Sequence, residues 1–100
     1  MVFDGSFFYE YFYSVESIGY FAGVLTSTMF IPQIAHMLKT RSARDVSLTA
    51  YVISTTSGLL WILYGVLKGS AVIVVVNTVI SALAITTALI KIALDKSNLR

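Results

Sequence analysis

The chain has 100 residues, of which 57% are hydrophobic and 12% charged, and its mean hydropathy is +0.84. Soluble domains are about 45–50% apolar and about 25% charged, and small domains bury the smallest share of their surface, so this composition excludes an ordinary soluble domain. The net charge of +2 is too small to indicate a nucleic-acid partner, and the absence of cysteine excludes disulfides and thiolate metal sites.

Residues 1–17 form an aromatic-rich segment ahead of the first long apolar stretch. The segment contains Asp4, Glu10 and Glu16 but no Lys or Arg, which is the opposite of the basic start of a cleavable signal peptide. Clustered Phe and Tyr side chains are typical of a membrane–water interface. We therefore expect an extracytoplasmic interfacial segment, with a disordered leader as the alternative.

Three apolar stretches follow, over residues 18–38, 46–67 and 71–90. None contains Asp, Glu, Lys or Arg, and His36 lies near the end of the first. A transmembrane helix needs about 20 mostly apolar residues to cross about 30 Å of hydrocarbon, whereas the helices of a soluble bundle need polar outer faces. The sequence thus predicts an all-α membrane protein, with a three-helix transmembrane domain over residues 18–94 and a tail over 95–100.

The basic residues are distributed unequally between the two ends of these spans. Six of the seven follow the first or third span, and one follows the second: Lys39, Arg41, Arg44, Lys91, Lys96 and Arg100 against Lys68. Because Lys and Arg concentrate in cytoplasmic loops, we expect the 39–45 loop and the C-terminus to be cytoplasmic. The N-terminus would then lie outside the cell (inner) membrane.

Small, polar or aromatic residues recur on one face of each span. The three sets are Ser54, Ser57, Trp61, Tyr64 and Lys68; Ser70, Asn77, Ser81 and Ala84; and Gly19, Gly23, Thr26 and Phe30. Helical periodicity places each set on one side, which would line an interior while the aliphatic faces meet membrane lipid. Close helix packing is the alternative, and it explains the glycines well. It explains Asn77 poorly, because an amide has donors and an acceptor to satisfy.

Trp61 and Asn77 each lie near the middle of a span, and together they suggest a neutral sugar. An indole face stacks on the apolar face of a pyranose, and an amide both donates to and accepts from hydroxyls. We predict that Trp61 and Asn77, with their neighbours Ser57 and Ser81, bind the substrate. No acid lies within a span to couple transport to protons, and no nucleophile, metal cluster or phosphate loop indicates an enzyme or a cofactor.

Pro32 interrupts the first span shortly before its end. Its ring removes a backbone hydrogen bond and crowds the carbonyl of Thr28, so we expect a kink or hinge here, with Gln33 beside it.

The order of these motifs resembles the bacterial SemiSWEET family of half-size sugar transporters, over residues 18–92. The motifs are Pro32-Gln33, the run from Lys39 to Ser47, Trp61-Ile62-Leu63-Tyr64-Gly65, and Asn77 in the third span. The resemblance implies a parallel homodimer of three-helix protomers that forms a six-helix transporter about an axis along the membrane normal.

The resemblance also implies residue roles. Trp61 and Asn77 match the substrate residues, Pro32 the hinge, and Tyr64 with Lys68 the extracellular gate. Lys68 stands where an arginine is often found, and Ser70 where an acid is expected, so a bidentate guanidinium bond is impossible.

The resulting prediction is a facilitative uniporter that moves mono- or disaccharides by alternating access. Two alternatives stay open. One is a related half transporter, of the PQ-loop or pyruvate-carrier kind, for another small solute. The other is a non-transporting membrane scaffold or regulator, which would need only packing residues at positions 61 and 77.

Overall fold

The computed structural model describes the backbone of residues 5–99 and the side chains of residues 15–99. The aromatic cluster predicted for the membrane interface precedes these side chains and lies outside the described part. The described residues form four α-helices: α1 Gly5–Thr28, α2 Phe30–Thr40, α3 Leu48–Lys68 and α4 Ala71–Asn98. Three segments are long and apolar enough to span a membrane, namely Val15–Thr40, Leu48–Lys68 and Ala71–Asn98. The predicted all-α fold with three spans is confirmed.

Helices α1 and α2 belong to one span that is interrupted at Met29. Pro32 has no N–H to donate to the carbonyl of Thr28, so the regular helical bonding pattern fails there. One turn earlier, the N–H of Met29 donates to the carbonyl of Thr26 at 3.1 Å, which is a tighter turn than an α-helix makes. The interruption at Met29 is therefore next to Thr28, the residue whose carbonyl would accept the hydrogen bond that Pro32 cannot donate.

The other helix ends carry local signals. The side chains of Ser47 and Ser70 accept hydrogen bonds from the N–H groups of Ala50 and Ile73, at 3.1 and 3.3 Å, and so cap the starts of α3 and α4. Gly69 ends α3 with φ +70°, a left-handed conformation that glycine adopts without strain.

Two helices are longer than predicted. Helix α1 begins at Gly5, within the predicted N-terminal segment, and α4 continues to Asn98 instead of ending at residue 90. Residues 6–17 contain neither Gly nor Pro to stop a helix. The end of α4 carries a Lys91–Asp95 ion pair at helical spacing.

The helices form a layer one helix thick. Helix α4 lies in the middle, with α1 and α2 packed on one side and α3 on the other, and α1 makes no close backbone contact with α3. The described chain measures 70 × 25 × 14 Å, and the shortest dimension is little more than the diameter of a single helix. The layer therefore has no enclosed interior toward the turn end, whereas at the loop end Phe30 of α2 meets Tyr51 of α3, with ring centroids 6.3 Å apart.

Small residues hold the layer together. Val72 and Val76 of α4 pack directly on Gly19 and Gly23 of α1, and Ser81 packs directly on Gly58 of α3. Glycines allow helix backbones to approach closely in a membrane, where the hydrophobic effect does not drive helices together.

We call the end of the layer that carries residues 41–47 the loop end, and the end that carries Gly69 and Ser70 the turn end. A compact core lies at the loop end, formed by the buried Met37, Ala43 and Val46 with partly buried neighbours packed against them: Ile34, Tyr51, Ile90 and Leu94. At the turn end, the layer is held by the contacts of Gly19 and Gly65 with α4. The two ends are therefore packed by different kinds of residue.

Candidate functional site

Trp61 lies on an uncovered face of α3. Its side chain is 50% exposed, and the rings of Trp61 and Tyr64 meet edge to face, with centroids 5.5 Å apart. Together with Ser57 and Leu60, they line an open groove of about 450 Å³. The groove offers an aromatic face beside a serine hydroxyl, and it contains Trp61 and Ser57, two of the four predicted substrate residues.

Lys68 lies one helical turn beyond Tyr64, toward the turn end. The Nζ of Lys68 lies 5.9 Å from the centre of the Tyr64 ring, within the range of a cation–π interaction. Among the described side chains no acid pairs with Lys68. The hydroxyl of Ser70, which stands where an acid was expected, is occupied in capping α4.

Asn77 is half-buried on α4. Its side-chain Nδ2 donates to the carbonyl of Ile73 at 2.9 Å, and its Oδ1 has no hydrogen-bond partner among the described residues. The amide therefore keeps an accepting oxygen and a second N–H for another molecule.

Trp61 and Asn77 lie on the same side of the layer. Helices α3 and α4 run antiparallel and meet where Gly58 contacts Ser81. At about 100° per residue, Trp61 lies about 60° backward from Gly58, and Asn77 lies about 40° backward from Ser81. Facing antiparallel helices turn in opposite senses when viewed from one end, so these two rotations point to the same broad face. We call this the polar face.

The opposite broad face is aliphatic. The same rotation places Leu59, Leu63 and Val66 of α3 there with Val75 and Val79 of α4, and all five are exposed. Such a face suits lipid tails.

Ser81 is placed differently from the other predicted substrate residues. Its side chain is only 4% exposed, and its Oγ lies against Gly58 without a hydrogen-bond partner among the described residues. In this conformation Ser81 belongs to the contact between α3 and α4, whereas Ser57 lies in the groove beside Trp61. In a single protomer, Asn77 does not line that groove either.

Pro32 and Gln33 lie apart from these residues, near the loop end. They line a separate pocket of about 520 Å³ together with residues of the loop end that include His36, Thr40 and Arg44. The predicted hinge and the predicted substrate residues thus occupy different levels of the layer. Among the described residues, no group of three His, Asp or Glu side chains lies close enough together to hold a metal ion.

Lys91 is a residue whose role sequence reasoning missed. It was counted as a basic residue beyond the third span, but its side chain is buried. Its Nζ donates to the carbonyl of Ala43 at 2.8 Å and lies 2.9 Å from a carboxylate oxygen of Asp95. The four-residue spacing from Asp95 was visible in the sequence, whereas the contact with Ala43, which spans 48 positions, was not.

Residues 15–98 match the model of a protein family that is described as "Sugar efflux transporter for intercellular exchange". The chain belongs to this family. The match includes all the described spans and every predicted site residue, and the family is one of membrane transporters and not of enzymes.

Individual relatives agree with this assignment. The sugar transporter SemiSWEET of Bradyrhizobium diazoefficiens is 39% identical over 70 residues, which cover 70% of this chain and 81% of that protein. A crystal structure of a bacterial homologue of SWEET transporters superposes with a TM-score of 0.75 at 34% identity, covering 79% of this chain and 95% of the other. SemiSWEET in the inward-open conformation superposes at 0.70 with 25% identity, covering 85% and 91%. The multi-pass membrane fold and the membership of a sugar transporter family follow.

Proposed function

We propose that this chain is a facilitative sugar transporter that works as a parallel homodimer and moves mono- or disaccharides by alternating access. The observation that carries the proposal is the polar face of a layer only one helix thick. That face carries Trp61, Tyr64 and Asn77, with an uncovered aromatic groove on α3.

A single layer has no interior, and this is the argument for the dimer. Exposed polar groups are costly against lipid, since the hydrocarbon offers them no hydrogen bonds. Two layers that meet through their polar faces, related by a two-fold axis along the membrane normal, would hide these groups from lipid and enclose a path between them. Each protomer would then contribute one Trp61 and one Asn77 to a shared site.

The chemistry of the shared site suits a neutral polyol. The indole of Trp61 offers a flat apolar surface, and the free Oδ1 and second N–H of Asn77 offer an acceptor and a donor. Ser57 adds a hydroxyl in the same groove. Neither an anion nor a cation would be favoured, because no charged side chain of the spans lies at this level.

The positions of the acidic residues favour facilitated diffusion over transport that is coupled to protons. The described acids Glu16, Asp45 and Asp95 lie near the ends of the three spans, as does His36, away from the middle of the membrane. A proton-coupled carrier ordinarily has an acid or histidine within the spans. We further propose that the loop end is cytoplasmic and the turn end extracytoplasmic, because Lys39, Arg41 and Arg44 lie at the former.

The test is uptake of labelled mono- and disaccharides into liposomes that contain the purified protein, with the subunits counted in the same preparation. The proposal predicts saturable uptake down a gradient, unchanged by a protonophore, from a dimer. Leu63→Ala serves as the matched control for Trp61→Ala, because both side chains are about half exposed on α3 but lie on opposite faces. Uptake should be lost in Trp61→Ala and kept in Leu63→Ala.

The same assay separates the alternatives. A half transporter for another solute would show no sugar uptake but would move a different labelled solute. A scaffold would move none and would tolerate Trp61→Ala. Sugar uptake by a protein that is monomeric in single-protomer nanodiscs would contradict the dimer.

A further inference from the structure

We propose that the aliphatic face binds one phospholipid of the leaflet at the turn end, with an acyl chain in a groove between the first span and α4 and an ammonium headgroup at Glu16. The inference depends on the membrane fold alone. It concerns the face opposite Trp61 and Asn77, so it is independent of the proposed sugar site.

We call this cleft the outer groove. It has a volume of about 380 Å³, and Gly23 forms its floor, where Val76 packs directly on the glycine. The first span forms one wall and α4 the other, with these side chains: Tyr20, Val24 and Ile31 against Val75, Val79 and Leu83. Val75 and Val79 belong to the aliphatic face, so the outer groove is continuous with the surface that meets lipid tails.

The chemistry of the outer groove suits a hydrocarbon chain. Ser27 and Thr28 border the groove, but their hydroxyls donate to carbonyls of their own helix, those of Gly23 at 2.8 Å and Leu25 at 2.6 Å. Apart from Tyr20 at one end, the remaining side chains of the walls are aliphatic. A polar ligand would lose its hydrogen bonds with water here, whereas an acyl chain has none to lose.

The outer groove has the depth of one leaflet. At about 1.5 Å per residue, the first span rises about 16 Å from Tyr20 to Ile31, and α4 rises about 12 Å from Val75 to Leu83. One leaflet contributes about 15 Å, half of the hydrocarbon core. Helix α4 begins at Ala71, about one turn before Val75, so the outer groove lies nearer the turn end. The acyl chain would therefore come from the leaflet on that side.

Glu16 lies above this end of the outer groove. Gly19 packs on Val72 of α4. Relative to Gly19, Glu16 is rotated around α1 by about 60° and Tyr20 by about 100°, in the same sense. Glu16 thus lies on the side of the outer groove and not on the polar face. It is half-buried and forms no ion pair with any described residue, so a positively charged partner would stabilise it.

The position of Glu16 identifies the headgroup. Its Cα lies about 6 Å from that of Tyr20 along the helix axis, one turn nearer the turn end. A phospholipid with a terminal ammonium group, such as phosphatidylethanolamine, would place the ammonium at the carboxylate and an acyl chain in the groove below. Phosphatidylglycerol carries only the negative charge of its phosphate, which Glu16 would repel. The charge thus distinguishes lipids whose chains are alike.

The outer groove also crosses the interruption of the first span. Thr28 at the end of α1 and Ile31 near the start of α2 both line it, opposite α4. A bound chain would therefore contact all three helices at the level of Met29. Because a ligand that binds only the folded protein raises its stability, phosphatidylethanolamine should raise the temperature of thermal unfolding.

Native mass spectrometry of the purified full-length protein tests the headgroup. The protein is titrated with phosphatidylethanolamine or phosphatidylglycerol that has the same acyl chains. We expect one retained phosphatidylethanolamine per protomer, bound roughly two- to fivefold more tightly than phosphatidylglycerol, which is the strength of an exposed ion pair. Glu16→Gln should bind both lipids equally. Equal binding of the two lipids by the wild type, or an unchanged preference in Glu16→Gln, would overturn the assignment of the headgroup.

Two matched substitutions test the outer groove itself. Val79→Phe fills the groove, whereas Val66→Phe makes the same change on the aliphatic face of α3, outside the groove. Val24→Phe fills the groove from the opposite wall. Both groove variants should lose the retained lipid and its effect on thermal unfolding, and Val66→Phe should keep them. Equal retention in all three variants would mean that the protein carries only a general lipid layer, which would overturn the site.

Discussion

The ammonium group of Lys91 donates a 2.8 Å hydrogen bond to the carbonyl oxygen of Ala43, joining the end of α4 to the loop between α2 and α3. The same loop receives a second bond, from Nδ2 of Asn98 to the carbonyl of Arg41 at 3.1 Å. A charged group that is 8% exposed needs such partners, because burial without them is costly. These bonds and the core around Met37 make the loop end the more firmly tied end of the protomer.

Replacing Lys91 by Met should therefore destabilise the protein. The substitution keeps the apolar stem but strands the Ala43 carbonyl, which we expect to cost about 1–3 kcal/mol. Thermal unfolding of the purified protein in detergent measures the effect. Lys96→Met, an exposed position in the same helix, should lie within about 0.5 kcal/mol of the wild type. Equal effects of the two substitutions would show that the bond to Ala43 does not contribute.

Gly23→Ala should weaken the contact between α1 and α4. An added Cβ would lie 2.7 Å from one γ-methyl of Val76 and 2.8 Å from the other, so one helix must move. Overpacking of this kind costs about 1–3 kcal/mol. Val76→Ala in the same chain removes both methyl groups and should recover part of the loss, as measured by thermal unfolding. No recovery in the double variant would exclude this contact as the cause.

Pro32→Ala tests the interruption of the first span. Alanine restores an N–H opposite the carbonyl of Thr28, so α1 and α2 should join into a stiffer helix. We expect slower sugar exchange in liposomes, with the affinity measured by calorimetry largely kept. Ile31→Ala, which leaves Pro32 in place, is the control. Unchanged exchange in Pro32→Ala would mean that the interruption is static.

Trp61→Ala and Asn77→Ala should each nearly abolish sugar binding, since a symmetric dimer loses two side chains from one site. Stacking contributes about 1–3 kcal/mol on the scale of base–aromatic pairs, and a stranded hydrogen-bonding group costs about as much. Trp61→Phe should keep part of the affinity, and Asn77→Leu should fail although its volume is similar. Thr78→Ala, beside Asn77 but turned away from it, should bind normally. Calorimetric titration of the monodisperse variants with sugar measures these affinities. Wild-type affinity in both alanine variants would show that Trp61 and Asn77 do not form the sugar site.

Asp45→Cys tests the orientation, because it introduces a single thiol in an exposed part of the loop end. A membrane-impermeant thiol reagent should label it only after intact cells are permeabilised. Lys68→Cys at the turn end should be labelled without permeabilisation. The reverse pattern would invert the proposed topology.

Local features of the fold were predictable from the sequence. Spans follow from uninterrupted apolar stretches, and the cap at Ser47, the left-handed end at Gly69 and the break near Pro32 each depend on a few neighbouring residues. Helix lengths were less predictable, since α1 and α4 extend past the apolar stretches that served as the guide. The length of an apolar stretch reflects the thickness of the hydrocarbon layer that it crosses, whereas a helix ends only where its backbone hydrogen bonds end.

The candidate site was predictable only in part. Periodicity alone placed Ser57 and Trp61 on one face of α3, because both belong to a single helix. It grouped Ser81 with Asn77 as well, but the structure places Ser81 against Gly58, in the contact between helices. A helical pattern identifies residues that share a face, but which part of that face meets a neighbouring helix depends on where two backbones cross.

The sequence by itself determined that this chain crosses a membrane three times and that each span has one polar face, because hydropathy and helical period are properties of adjacent residues. Only the tertiary structure decided that α4 lies between the other two spans and that Lys91 is bound to the loop at Ala43. These are contacts between distant parts of the chain. They depend on how closely glycine and small side chains let the helices approach, which no single helix reveals.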